Sequence, residues 1–128
     1  MKVTYSPEDG DEQVFDYNPN RLMSVEREAL EKRTGMSFQQ FAMGVLRGHS
    51  LCRRALLHVL LKRQHPGISF DDVDFCWDEL TVEMTKGEIT LAAERLREKG
   101  EEDVAEAMLK GYDEAPDDEG KARLPFAV

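Results

Sequence analysis

The sequence predicts a mainly α fold: a small helical domain with a short N-terminal extended or hairpin segment and one short extended segment near residues 73–84. Three observations predict it. Apolar residues recur every three or four positions between residues 24 and 64, as on one face of a helix. Shorter runs near the N-terminus and at residues 73–84 alternate between apolar and polar, as in a half-buried strand. The length of 128 residues corresponds to about one domain.

The first twenty residues are predicted to be extended. Val3 and Tyr5 alternate with polar neighbours, and apolar residues return from Val14 to Tyr17. A proline- and glycine-containing stretch between them is typical of a turn, so a hairpin is predicted. Asn18-Pro19-Asn20 closes the segment, because the residue before a proline avoids the helical region.

Two helices are predicted next, over about 24–34 and from Ser37 to Gly48. Ser24 can cap the first helix and Gly35 can stop it. Ser37 and a glutamine three residues later have the spacing of a capping box. The second helix has one apolar face, formed by Phe38, Phe41, Ala42, Val45 and Leu46.

A third helix is predicted from Ser50, as its cap, to the stop at His65-Pro66-Gly67. Its apolar positions include Leu56, Val59 and Leu60. A helix this apolar must lie at the centre of the core or bury its surface against a partner.

The rest of the chain is predicted in three parts. Residues 68–84 include the extended segment, and residues 88–111 form charged helices interrupted at Gly100. The domain organisation is therefore an extended segment at 1–20, a helical core domain at 21–84, charged C-terminal helices at 85–111 and a disordered acidic tail at 112–128.

Charge is distributed unevenly. The net charge is -9, yet residues 35–70 contain five basic and no acidic residues, while residues 71–128 carry a net charge of -11. Either the acidic ends neutralise the basic middle, or the middle faces an acidic partner. The overall acidity opposes binding to nucleic acid and favours solubility.

No cofactor or enzymatic activity is predicted. His49 and Cys52 lie three residues apart, but zinc usually needs four ligands in paired short spacings. The carboxylates between Asp71 and Glu79 lack the glycine and the alternating oxygens of a calcium loop and have no patterned nucleophile. Phosphate-binding and dinucleotide motifs are absent, and no stretch is long enough to span a membrane.

The candidate sites are therefore surfaces for a protein partner. An apolar groove could hold an amphipathic helix, although the same residues are more often plain core. Its predicted contacts are Phe38, Phe41, Val45, Leu56, Val59 and Leu60. The third helix adds four basic contacts, Arg53, Arg54, Lys62 and Arg63.

Several runs carry a resemblance to a known family. Phe15-Asp16-Tyr17-Asn18-Pro19-Asn20-Arg21-Leu22-Met23 precedes an acidic helix from Val25 to Thr34. Gly35-Met36-Ser37-Phe38-Gln39-Gln40-Phe41 and an apolar helix follow, and then Ser69-Phe70-Asp71-Asp72-Val73-Asp74-Phe75. Over roughly residues 15–84 the chain resembles the tail assembly chaperones of long-tailed bacteriophages (siphoviruses) that infect actinobacteria.

The resemblance implies a non-enzymatic protein that binds the tape measure protein and keeps it soluble until tail tube subunits polymerise around it. It also implies a place in the host cytoplasm and absence from the mature virion. Further partners that it implies are a longer form of the chain, made by ribosomal frameshifting, and the tail tube protein, and a homo-oligomer is compatible with it. The alternative is a small adaptor or regulatory protein that binds a protein partner through the basic helix 50–64.

Overall fold

The computed structural model of the chain describes residues 1–118 and confirms the mainly α fold. The described residues contain five helices: α1 (Ser24–Thr34), α2 (Phe38–Arg47), α3 (Ser50–Lys62), α4 (Lys86–Glu98) and α5 (Glu102–Leu109). They also contain three strands: β1 (Lys2–Tyr5), β2 (Gln13–Asp16) and β3 (Leu80–Glu83). The acidic tail predicted at 112–128 lies mostly outside the described residues.

The strands form one antiparallel sheet in the order β2-β1-β3. The N-terminal hairpin predicted from alternation is therefore confirmed. The extended segment predicted near 73–84 forms a strand only from Leu80 onwards. Before it, a single 3-10 turn spans Trp77–Glu79, where the Glu79 carboxylate accepts a hydrogen bond of 2.7 Å from the Cys76 amide. This local cap holds the chain in a turn that alternation alone does not indicate.

The helix boundaries follow local capping chemistry. Ser37 Oγ accepts from the Gln40 amide, and Gln40 Oε1 accepts from the Ser37 amide, so the predicted capping box is confirmed. Gly35 and Gly48 end α1 and α2 in the left-handed region, at φ of 69° and 80°. The caps predicted at Ser24 and Ser50 are wrong by one residue, because Met23 and His49 occupy these positions.

The described chain divides into two units. The large unit is Thr4–Val82, and the small unit combines Met1–Val3 with the described residues from Glu83 onwards. In the large unit, α3 packs against both α1 and α2. Its buried residues are Cys52, Ala55, Leu56, Leu57, Val59, Leu60 and Leu61. Since both neighbouring helices pack on it, α3 is the centre of this core, which is one of the two arrangements that its apolar sequence predicts.

The small unit is organised by the contact between α4 and α5. Ile89, Ala93 and Ala105 are its buried helical residues. Val104 of α5 lies outside this core, because its side chain is 51% exposed. At the start of α4 the Thr85 hydroxyl accepts from the Glu88 amide, and the Asp118 carboxylate accepts from the Gly87 amide.

Glu26 of α1 and Arg63, which follows α3, form a two-bond ion pair. The guanidinium donates to both carboxylate oxygens, at 2.9 and 3.1 Å. Arg63 thereby lowers the pKa of the Glu26 carboxyl, mainly through the side-chain hydrogen bond. The pair links the helices at the surface, where the Arg63 side chain is 44% exposed.

Replacing Glu26 by Gln is expected to lower the free energy of unfolding by about 0.5 kcal/mol at neutral pH and by less in acid. A carboxyl with a lowered folded-state pKa stabilises the fold above its unfolded pKa, and this contribution disappears as the pH falls through the lowered value. Urea titrations followed by Trp77 fluorescence at several pH values measure the difference. The exposed Glu28→Gln on the same helix is the control, and a Glu26→Gln effect that persists unchanged in acid would contradict the prediction.

Candidate functional site

The six apolar residues predicted to contact a partner lie in the core of the large unit. Phe41, Val45 and Leu56 have no exposed surface, and Phe38, Val59 and Leu60 are at most 9% exposed. The physical reason is that α2 and α3 pack on each other, which covers the most apolar faces of both helices. A groove lined by these six side chains is therefore not present, and this part of the site prediction is corrected.

The basic residues predicted as contacts are largely engaged within the large unit. Arg53 donates to the Val45 carbonyl at 2.9 Å, and its guanidinium lies 5.2 Å from the centre of the Trp77 ring. Arg63 binds Glu26, whereas Lys62 is exposed. The basic face of the third helix is therefore partly a set of structural contacts.

Arg54 attaches the segment after α3 to the helix. Its guanidinium donates to the carbonyls of Phe70 and Val73 and lies 4.1 Å from the centre of the Phe70 ring. One turn along the helix, His58 Nε2 is 3.1 Å from the Ile68 carbonyl, and the ring meets Phe70 edge-on. These contacts position residues 68–73 beside α3.

A different surface of the large unit remains accessible. An open cleft of about 520 Å³ lies along the outer side of α2. We call it the methionine groove, and its lining residues are Met36, Gln40, Met43, Gly44, Arg47, Gly48 and His49. Met43 is 48% exposed, as expected for a side chain that lines an open surface.

Sequence reasoning missed this groove because its apolar residues lie outside the apolar stripe of α2. Gln40, Met43 and Arg47 recur at three and four residues, so they form a second face of the same helix. Two methionines near one basic residue were the available signal. Methionine is unbranched and adaptable, and it is common on surfaces that bind varied partners.

Gly44 lines the floor of the groove at a point where α2 and α3 approach each other closely. A Cβ atom at this position would lie 2.6 Å from Cys52 Sγ of α3, which is closer than a carbon and a sulfur can approach. Cys52 Sγ is in turn 3.6 Å from Met36 Sδ. Burial raises the pKa of the Cys52 thiol, so this side chain acts as a neutral packing residue.

Neither a metal site nor a membrane-spanning helix is found among residues 1–118. No group of three or more His, Cys, Asp or Glu side chains there could hold a metal ion. No helix in that range is long and apolar enough to cross a bilayer. Among the carboxylates between Asp71 and Glu79, Asp72 acts as a local cap, since it accepts hydrogen bonds from the amide and the hydroxyl of Ser69.

The chain has no significant match among protein family models, curated proteins or solved structures.

Arg54→Met is expected to lower the free energy of unfolding by about 2 kcal/mol, because it removes two charge-assisted hydrogen bonds and leaves two carbonyls without this donor. Urea denaturation followed by the single tryptophan, Trp77, measures it. The exposed Lys62→Met, at the end of the same helix, should change stability by less than about 0.5 kcal/mol. Equal effects of the two substitutions would show that the Arg54 contacts contribute nothing.

Gly44→Ala is expected to destabilise the fold by about 1–3 kcal/mol, because the added methyl group collides with Cys52 Sγ. Gly67→Ala is the control, since a Cβ atom there meets nothing within 4 Å. In the double variant with Cys52→Ala, the Gly44→Ala substitution should cost less, because the sulfur is gone. Strictly additive effects in thermal unfolding would exclude the collision as the cause.

Proposed function

We propose that the chain is a tail assembly chaperone of a long-tailed bacteriophage that infects actinobacteria. It binds the tape measure protein and keeps it soluble until tail tube subunits polymerise around it. The protein acts in the host cytoplasm without enzymatic activity and does not remain in the mature virion. The observation that carries the proposal is the resemblance over residues 15–84, from the Phe15–Met23 run to the Ser69–Phe75 run.

The surface composition of the chain supports the proposal that it is a chaperone that keeps its client in solution. Such a protein needs accessible apolar side chains for the client and a net charge that keeps the complex soluble. Exposed apolar residues of the large unit include Val14, Met23, Val25, Met43, Leu46 and Trp77. The net charge of -9 provides electrostatic repulsion between complexes.

The alternative, an adaptor that binds through the basic helix 50–64, has less support. Arg53 and Arg54 donate to backbone carbonyls, and Arg63 binds Glu26. Binding an acidic partner through these groups would first require breaking contacts within the large unit. In the chaperone proposal these three arginines instead stabilise the fold of the large unit, whose surface binds the client.

The proposal includes further partners. A frameshifted longer form of the chain and the tail tube protein would join the same assembly, and several copies could bind along one long client. Multiple weak contacts on a single client strengthen each other through effective concentration.

Co-expression with the tape measure protein encoded in the same phage genome tests the proposal. The soluble fraction of the tape measure protein should increase several-fold with the chain present, and the two should co-purify. An unrelated acidic protein of similar size and charge is the control for general effects of co-expression. If the tape measure protein is equally insoluble with this chain and with the control, the proposal is wrong.

A further inference from the structure

The methionine groove has the chemistry of a site for a helix. Met36 and Met43 provide its apolar wall, and Gly44 brings the backbone of α2 close to α3, which leaves the floor without a side chain. The ten residues of α2 span about 15 Å, enough to lie beside roughly three turns of another helix. An apolar, adaptable groove of this length suits the apolar stripe of an amphipathic helix, in which residues i, i+3 or i+4, and i+7 are the contacts.

The groove is basic, although the chain as a whole is acidic. Its lining includes the positively charged Arg47 and contains no carboxylate. The Arg53 guanidinium lies beside the Gly48 end, about 4.0 Å from the place of a Cβ atom there. The carboxylate of Glu31, on α1, accepts a hydrogen bond from the amide of Phe38, the first residue of α2. Residues 35–70, which contain α2 and α3, have no acidic residue at all.

We infer that the methionine groove binds an amphipathic helix whose apolar stripe is flanked by acidic residues. This inference rests on the proposed function for the source of that helix, which is a segment of the tape measure protein. Apolar contacts with Met36 and Met43 provide affinity, and Arg47 selects against segments with basic flanks, because like charges placed side by side repel. The groove thus determines which parts of a long helical client are held.

Two synthetic peptides of about 18 residues test the inference with the full chain. Both carry leucine at i, i+3, i+4 and i+7, and they differ only in having Glu or Lys at the flanking positions. Binding is measured by fluorescence anisotropy at moderate ionic strength. The Glu-flanked peptide is expected to bind at least about tenfold more tightly. The net charge of -9 alone would favour the Lys-flanked peptide, so the groove and the overall charge predict opposite orders.

Substitutions in the chain locate the binding surface. Met43→Glu should weaken binding of the Glu-flanked peptide at least about tenfold, since it places a carboxylate in the apolar wall. Leu91→Glu is the matched control, because Leu91 is 50% exposed and is not a lining residue of the groove. Arg47→Glu, at an exposed position, should reverse the preference between the two peptides. Circular dichroism and urea titration establish that each variant is folded before binding is compared.

Three results with the purified chain would overturn the inference. The first is equal affinity of the chain for both peptides, and the second is unchanged peptide binding by a folded Met43→Glu variant. The third is that neither peptide binds while the chain self-associates with increasing concentration, and that Met43→Glu abolishes this self-association. The last result would assign the groove to a second copy, whose α5 carries the exposed Val104 between acidic residues. If the Met43→Glu chain still keeps the tape measure protein soluble, the groove is not the client site and the proposed function stands. If the peptides bind as expected but the wild-type chain does not solubilise the tape measure protein, the proposed function fails alone.

Discussion

Burial of α3 is the constraint on which the large unit depends. Seven of its thirteen residues are buried, so apolar side chains extend around more of the helix than a single stripe. A helix of this kind must be covered on more than one side, and α1 and α2 both pack against it. The close contact between Gly44 and Cys52 shows how tightly one of these partners approaches. The positions of α1 and α2 therefore follow from the need to cover α3.

Because neighbouring segments cover α3, its polar side chains form hydrogen bonds with the backbone carbonyls of those segments. Arg54 and His58 reach the carbonyls of residues 68–73, and Arg53 reaches the end of α2. A guanidinium carries several donors on a long apolar stem, so it can satisfy carbonyls of neighbouring segments while its stem packs beside the helix. The basic character of residues 35–70 thus has a structural origin in part, and charge alone is a poor guide to the contact surface.

The sequence was sufficient for features set by nearby residues and insufficient for features set by distant ones. Gly35, Ser37 and Gly48 are recognisable as helix ends in the sequence, because a cap depends on the backbone within one turn. The order of the three strands and the turn at Trp77–Glu79 needed contacts beyond the repeating pattern. For the site, periodicity correctly grouped Phe38, Phe41 and Val45 on one face, but it could not show that α3 covers that face.

The second face of α2 lines the methionine groove, while the first face packs in the core. One face of this ten-residue helix, with Phe41 and Val45 fully buried, is used in the core. The opposite face carries Met43 and Arg47, which the core does not need. A helix that is held firmly on one side can present an adaptable apolar surface on the other without loss of its own stability. In such an arrangement the core residues determine the position of the groove, while methionine and arginine determine what it binds, so the two sets of residues can be tested separately.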